Sequence, residues 1–238
     1  MCVRTANANA GLVSGIICVT GGGQHMALDE LLTGYGGRAF PLPKIAGEFK
    51  GKGGLIVCGD AACVWDDLER FGARQNAGQG SVGKDGFHVM TVNKLVEVFP
   101  GRIHHAYSNQ PHLLNKFIEA RRCEYRQEFG GPEHTHSCNE GAKWRWPWGG
   151  QGTSGLGAVL VGLGLGYDQI VLCGLPLDNG PHNGEPHWRK CHFAVSEAAG
   201  PKGIVNGENS HWKRARELAF EGKVKSMSGR TAAWLGTP

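Results

Sequence analysis

GQGTSGLGAVLVGLGLGYDQIVLCGLPLD, running from Gly150 to Asp178, decides the fold. A small polar turn, Gly152-Thr153-Ser154-Gly155, leads into an apolar segment whose spacing predicts a helix over Leu156–Leu165. Gly166 stops that helix. Gln169–Cys173 then forms an unbroken apolar run, which is the sequence form of a strand buried on both faces in a parallel sheet. Helix, glycine stop, buried strand and a small-residue loop make one half of a βαβ unit.

Working outward, the same grammar recurs. GGLIVCGD (Gly53 to Asp60) reads as a buried strand entering a loop. Val64, Leu68 and Phe71 follow at helical spacing, with Gly72 as a stop. Phe87–Val92 reads as a second strand that turns at Asn93, and Arg102–Asn109 as a third. Pro111 opens a helix through Arg122, residues 211–222 read as another, and KVKSMSG as a last strand. These alternations predict one α/β, Rossmann-like domain over residues 51–238, with a mainly parallel sheet. Residues 1–50 carry no sustained periodicity and read as an irregular N-terminal arm. Residues 123–149, rich in Gly, His, Trp and Pro, read as a lid or loop insertion.

The 238 residues are 40% hydrophobic and 19% charged, a globular composition able to bury a core. The net charge of +4 suits an anionic small molecule and is too weak to argue for nucleic acid. No apolar run reaches the roughly 20 residues that span a bilayer. The apolar patch Gly11–Val19 lacks a basic flank and a clear cleavage site, and the eight cysteines are scattered, which suits reduced thiols in a cytoplasm.

In an open parallel sheet, ligands bind at the carboxyl ends of the strands. Those ends here are Gly59–Asp60, Asn93, Ser108–Asn109, Thr153–Ser154–Gly155 and Gly174–Asp178, all small or polar. A Thr-Ser-Gly turn at a helix start offers amides and hydroxyls to an anion, or serves as a plain N-cap. Gly59-Asp60-Ala61-Ala62 matches neither the dinucleotide fingerprint nor the P-loop, so no cofactor is expected. Gly162, Gly164 and Gly166 fall at a helix end and read as packing or termination.

LIVCGDAAC (Leu55–Cys63), VMTVNK (Val89–Lys94), HHAYSNQP (His104–Pro111), GTSG (Gly152–Gly155), GLGYDQIVLCG (Gly164–Gly174) and NSHW (Asn209–Trp212) come in an order that resembles the bacterial lipooligosaccharide sialyltransferases. Their wider superfamily includes hydroxymethylpterin pyrophosphokinase-like proteins and phage-encoded relatives. The resemblance implies a glycosyltransferase that uses a nucleotide-activated sugar. Gly59 and Asp60 would face the nucleotide, Asn93 and Asn109 would hydrogen-bond it, and Thr153, Ser154 and Gly155 would line its pocket. His211 would be the general base. The alternative is a non-catalytic phage accessory or structural protein that keeps the fold. Ala62-Cys63 stands where the family has Pro-Ser, and the chain has only four tyrosines to hold a donor phosphate. Pterin pyrophosphoryl transfer would need magnesium ligands, for which Asp60, Asp178 and Glu185 are placed.

His182, His187 and Asp178 sit in or beside DNGPHNGEPHWRK, just past the last core strand, where they can approach the same cleft. Cys123, His134, His136 and Cys138 have neither finger nor ribbon spacing, and no metal is expected there. KWRWPWGG (Lys143–Gly150) either stacks a base or sugar or folds its indoles over the sheet edge.

Overall fold

The computed structural model of the protein describes residues 41–73, 83–124, 130–148, 153–177 and 211–238. Among these residues, β1 (Gly54–Cys58), β2 (Phe87–Val92), β3 (His105–Tyr107), β4 (His134–Ser137), β5 (Trp144–Arg145), β6 (Ile170–Cys173) and β7 (Val224–Ser226) form one sheet. Its order is β5-β4-β3-β2-β1-β6-β7, and every neighbouring pair is parallel. The helices are α1 (Val64–Arg70), α2 (Leu95–Val98), α3 (Pro111–Glu124), α4 (Ser154–Leu165), α5 (residues 211–220, widening to π over Arg216–Phe220) and α6 (Gly229–Leu235). The chain therefore adopts the Rossmann-like α/β fold that its alternation predicts.

The pleat sorts the strand residues into two cores. Leu55, Val57, Met90, Val92, Tyr107 and Leu172 pack under α4 and α5. Ile56, Cys58, Val89, Ala106, Val171 and Cys173 pack under α1, α2 and α3. Helix α4 is apolar nearly all round, as a helix laid across a sheet and covered on its outer side must be. Thr153 caps its start by accepting from Leu156 N, and Gly166 ends it at φ 98° in the left-handed region. No helix among the described residues is long and apolar enough to cross a membrane.

Two parts read as irregular take definite places. Of the N-terminal arm, residues 1–40 lie outside the described residues. Residues 44–50 are a run of turns that finishes α4: Gly47 N and Phe49 N donate to Gly164 O and Leu165 O, each at 2.9 Å. Those carbonyls have no partner within the helix. Ile45 and Phe49 are buried there.

The second is the stretch read as a lid, and it is corrected. Cys123 closes α3, while β4 and β5 extend the sheet. Trp146 and Trp148 are buried in the main core, with Trp144 packed against it. The indoles fold over the sheet because alternation sends Trp144, Trp146 and Trp148 to one face. His134, His136 and Cys138 follow the same alternation. No zinc set forms: Cys123 is exposed on α3, and no group of three His, Cys, Asp or Glu side chains among the described residues is arranged to hold a metal.

Candidate functional site

The carboxyl ends of β1, β2, β3, β4 and β6 meet the start of α4, and most of the sequence-derived residues come together there. Asn93 leaves β2 with φ 53°, a left-handed conformation that asparagine tolerates. Its Oδ1 accepts from Ser108 Oγ at 2.8 Å, and Ser108 Oγ in turn accepts from Gln110 N at 3.0 Å. Asn109 is held on every side but one. Its Oδ1 accepts from Tyr107 Oη at 2.7 Å and from the Cys138 thiol at 3.7 Å. Its carbonyl accepts from Asn139 Nδ2 at 2.7 Å, and its amide N–H donates to Ser154 Oγ at 3.4 Å. Burial, then the neighbouring Cys138, pushes the Tyr107 phenol well above its usual range, so it stays protonated and donates.

The carboxamides of Asn93 and Asn109 therefore have their oxygens engaged from within. Both residues are half-buried, and each carboxamide still carries an Nδ2 donor pair besides its engaged oxygen. Half-buried Ser154, in the first turn of α4, adds a hydroxyl beside the positive end of the helix dipole. Carboxamide amino groups and a serine hydroxyl are donors, so this corner suits oxygen acceptors such as phosphate, carboxylate or carbonyl groups.

Thr153 lies at the same end but is committed to structure. Its Oγ1 accepts from Leu156 N and from Trp212 Nε1, each at 3.2 Å. The Trp212 bond brings the start of α5 to this corner, where His211 sits half-buried. His187, Asp178 and Gly152 lie outside the described residues.

Gly59 and Gly155 are both packed against Leu175. A Cβ on Gly155 would come within 2.8 Å of Leu175 Cδ2, and one on Gly59 would strike the same side chain and Gly174 O. Both glycines are buried. They make room for Leu175. In a doubly wound sheet the crevice opens where the strand order reverses, here between β1 and β6. Leu175 fills that crevice, and Gly59 N and Ala61 N, donating to Cys173 O and Gly174 O, tie its walls together. Asp60 stays half-buried beside it. The open donors lie further along, above β2, β3 and β4.

Tyr107 and Asn139 are the residues that sequence reading missed, and Cys138 enters it only through its spacing to Cys123, His134 and His136. The signal for Asn139 was the lid stretch itself, which hides a strand whose carboxyl end carries Cys138 and Asn139. Set beside known proteins, the chain matches no family model, no curated protein and no solved structure.

Proposed function

We propose that the protein binds the anionic part of a nucleotide-activated donor, most simply a nucleotide sugar, above β2–β4 and acts as a glycosyltransferase-like protein. The observation that carries the reading is the paired carboxamides: Asn93 and Asn109 have their oxygens held by Ser108, Tyr107 and Cys138, which leaves their N–H groups as the donors for a ligand. A pre-set donor array costs a ligand little reorganisation, which is the usual design of an anion site. The Trp212–Thr153 bond brings the start of α5, which carries His211, to the end of the sheet where α4 begins.

The filling of the β1/β6 crevice by Leu175 favours a second reading, a binding protein without catalysis. Thermal-shift titration with CMP, CDP, UDP and ATP, with and without sugar, tests the first. A bound ligand stabilises by RT ln(1 + [L]/Kd), so at about 100 times Kd the gain is about 2.7 kcal/mol. No stabilisation by any of them sinks the nucleotide reading. Stabilisation without sugar release from the donor leaves the binding protein.

A further inference from the structure

At the other end of the face under α4, His88, His104, His105, His134 and His136 crowd together. Ring centroids lie 4.2 Å apart for His88–His104, 5.3 Å for His105–His134 and 5.2 Å for His105–His136. Their hydrogen bonds assign the protons. An indole N–H can only donate. Trp146 Nε1 gives its proton to His136 Nδ1 at 3.0 Å, so neutral His136 carries its own on Nε2, facing His105 Nδ1 at 3.0 Å. His105 then donates from Nε2 to the Tyr167 oxygen at 2.9 Å, and the Tyr167 proton goes to His88 Nδ1 at 2.5 Å. Two side branches agree independently: Trp144 Nε1 donates to His134 Nδ1 at 3.3 Å, and Val89 N to His104 Nδ1 at 3.0 Å.

All five rings thus accept at Nδ1, and each neutral ring holds its proton on Nε2. A second proton on any of them points at a donor. Only at His88 can that donor turn aside, because a phenol O–H rotates; the other four face N–H groups fixed in rings or in the backbone.

One side chain packs against three of the rings. The Phe49 ring meets His88 at 5.4 Å, His105 at 4.9 Å and His134 at 6.0 Å edge-on, and stacks on Tyr167 at 5.3 Å. The Lys52 ammonium lies over the same ring at 5.1 Å. The charged groups around the cluster are Glu48 and Lys52 beside Phe49, Arg102 before β3, Glu133 before β4 and Lys143 before β5. Asp168 stands exposed beside Tyr167. Glu133 is paired with Arg102 at 2.5 Å, which reduces its pull on a histidine proton.

We propose that this histidine network is an acid-released latch, which holds residues 43–53 against the sheet at neutral pH and lets them go when the imidazoles take up protons. Charged rings 4–6 Å apart repel one another and require water. Phe49 packs on three of the five rings, of which His105 is fully buried, so water reaches His105 when its segment lifts. Burial holds all five histidines below their usual pKa, so the latch stays shut until the medium is acidic. The device is independent of the ligand cleft at the opposite strand ends.

Hydrogen exchange of the full chain, corrected for intrinsic rates and compared at about pH 7.5 and about pH 5, tests it. Protection in 43–53 is expected to fall about tenfold or more in acid, while Gly54–Cys58 and Ile170–Cys173 keep theirs. In the double variant H88N/H134N the side-chain oxygen replaces Nδ1 as acceptor and cannot be protonated, so the fall shrinks to about threefold or less. An unchanged 43–53, loss of β1 and β6 together with it, or an undiminished response in the variant overturns the proposal. Imidazole ¹⁵N shifts of the unmodified protein supply a second reading that needs no substitution. Neutral Nε2–H forms are expected for all five, with 43–53 amide signals moving as the first of them titrates. A proton on His105 or His136 Nδ1, or titration that leaves 43–53 unmoved, overturns it equally.

Discussion

The two ends of the sheet face beneath α4 are both polar, and they treat polarity in opposite ways. At the amino end, His88, His104, His105, His134 and His136 each have Nδ1 filled by a donor, and Phe49 packs on three of the rings. At the carboxyl end, Asn93 and Asn109 have their oxygens filled from within and keep their amino groups as donors. A closed network specifies packing, because breaking any part strands a buried donor or acceptor. An array left open on one side and held rigid from behind is what a ligand uses. Residue type alone does not make this distinction, since histidine is the more familiar catalytic residue and asparagine the blander one.

The largest effect expected from breaking the comparison is at the closed end. Trp146→Ala removes a fully buried indole and leaves His136 Nδ1 without its donor, so urea denaturation should show a loss of about 3–5 kcal/mol. A loss below about 1 kcal/mol, the size of one ordinary hydrogen bond, would mean that the network does not hold the core.

The fold was legible in the sequence because its central strands obey the apolar rule. Ile56, Val57, Val171 and Leu172 are buried on both faces of the sheet and read as unbroken hydrophobic runs. Strands β4 and β5 escaped because HTHS and WR put histidine, serine and arginine where that rule expects valine. The period-two spacing of His134, His136 and Cys138, and of the three tryptophans, was present, but in polar and aromatic letters. The site was half legible. Strand-end position brought out Asn93, Asn109 and Ser154, whereas the filling of the crevice by Leu175 depends on a loop-to-loop approach that no local pattern encodes.

Acid sharpens the comparison next. Burial brings His136 down to about 3 and His104 to about 4, and holds His105 well below its usual value. An unfolded chain protonates these rings near 6.5 while the folded one refuses, so the unfolded state binds more protons below that point. Stability is therefore full above about pH 6.5 and falls as the pH drops toward the folded values, by about 1.4 kcal/mol per pH unit for each deeply buried histidine. Urea midpoints measured from neutral pH down to about pH 4.5 check the sign. A flat profile, or a rise toward acid, contradicts neutral histidines at the amino end.

At the open end, Asn93→Asp and Asn109→Asp keep the oxygen that accepts from Ser108 or Tyr107 and exchange the N–H donors for a carboxylate. The fold should tolerate either change, with the melting temperature close to that of the parent protein. Affinity for an anionic nucleotide should fall about tenfold or more, the size expected when charge-assisted hydrogen bonds of about 1.5–3 kcal/mol are replaced by repulsion. Titration calorimetry with the ligand found by thermal shift reads it. Unchanged affinity in both variants would move the site away from β2–β4.

The smallest effect separates two neighbours that the sequence could not tell apart. Thr153 and Ser154 both sit at the start of α4, yet Thr153 Oγ1 already serves Leu156 N and Trp212 Nε1, whereas Ser154 Oγ accepts one long bond of 3.4 Å and keeps its proton to give. Thr153→Ala should therefore cost stability, about 1 kcal/mol as a lost N-cap, and change binding only through the fold. Ser154→Ala should leave stability within about 0.5 kcal/mol and weaken ligand binding about two- to tenfold, as the loss of one neutral hydrogen bond does. Paired urea and calorimetric titrations of the two variants decide it. If both lose stability alike and bind alike, the start of α4 is only a capped helix. The ligand contacts would then have to come from the carboxamides alone.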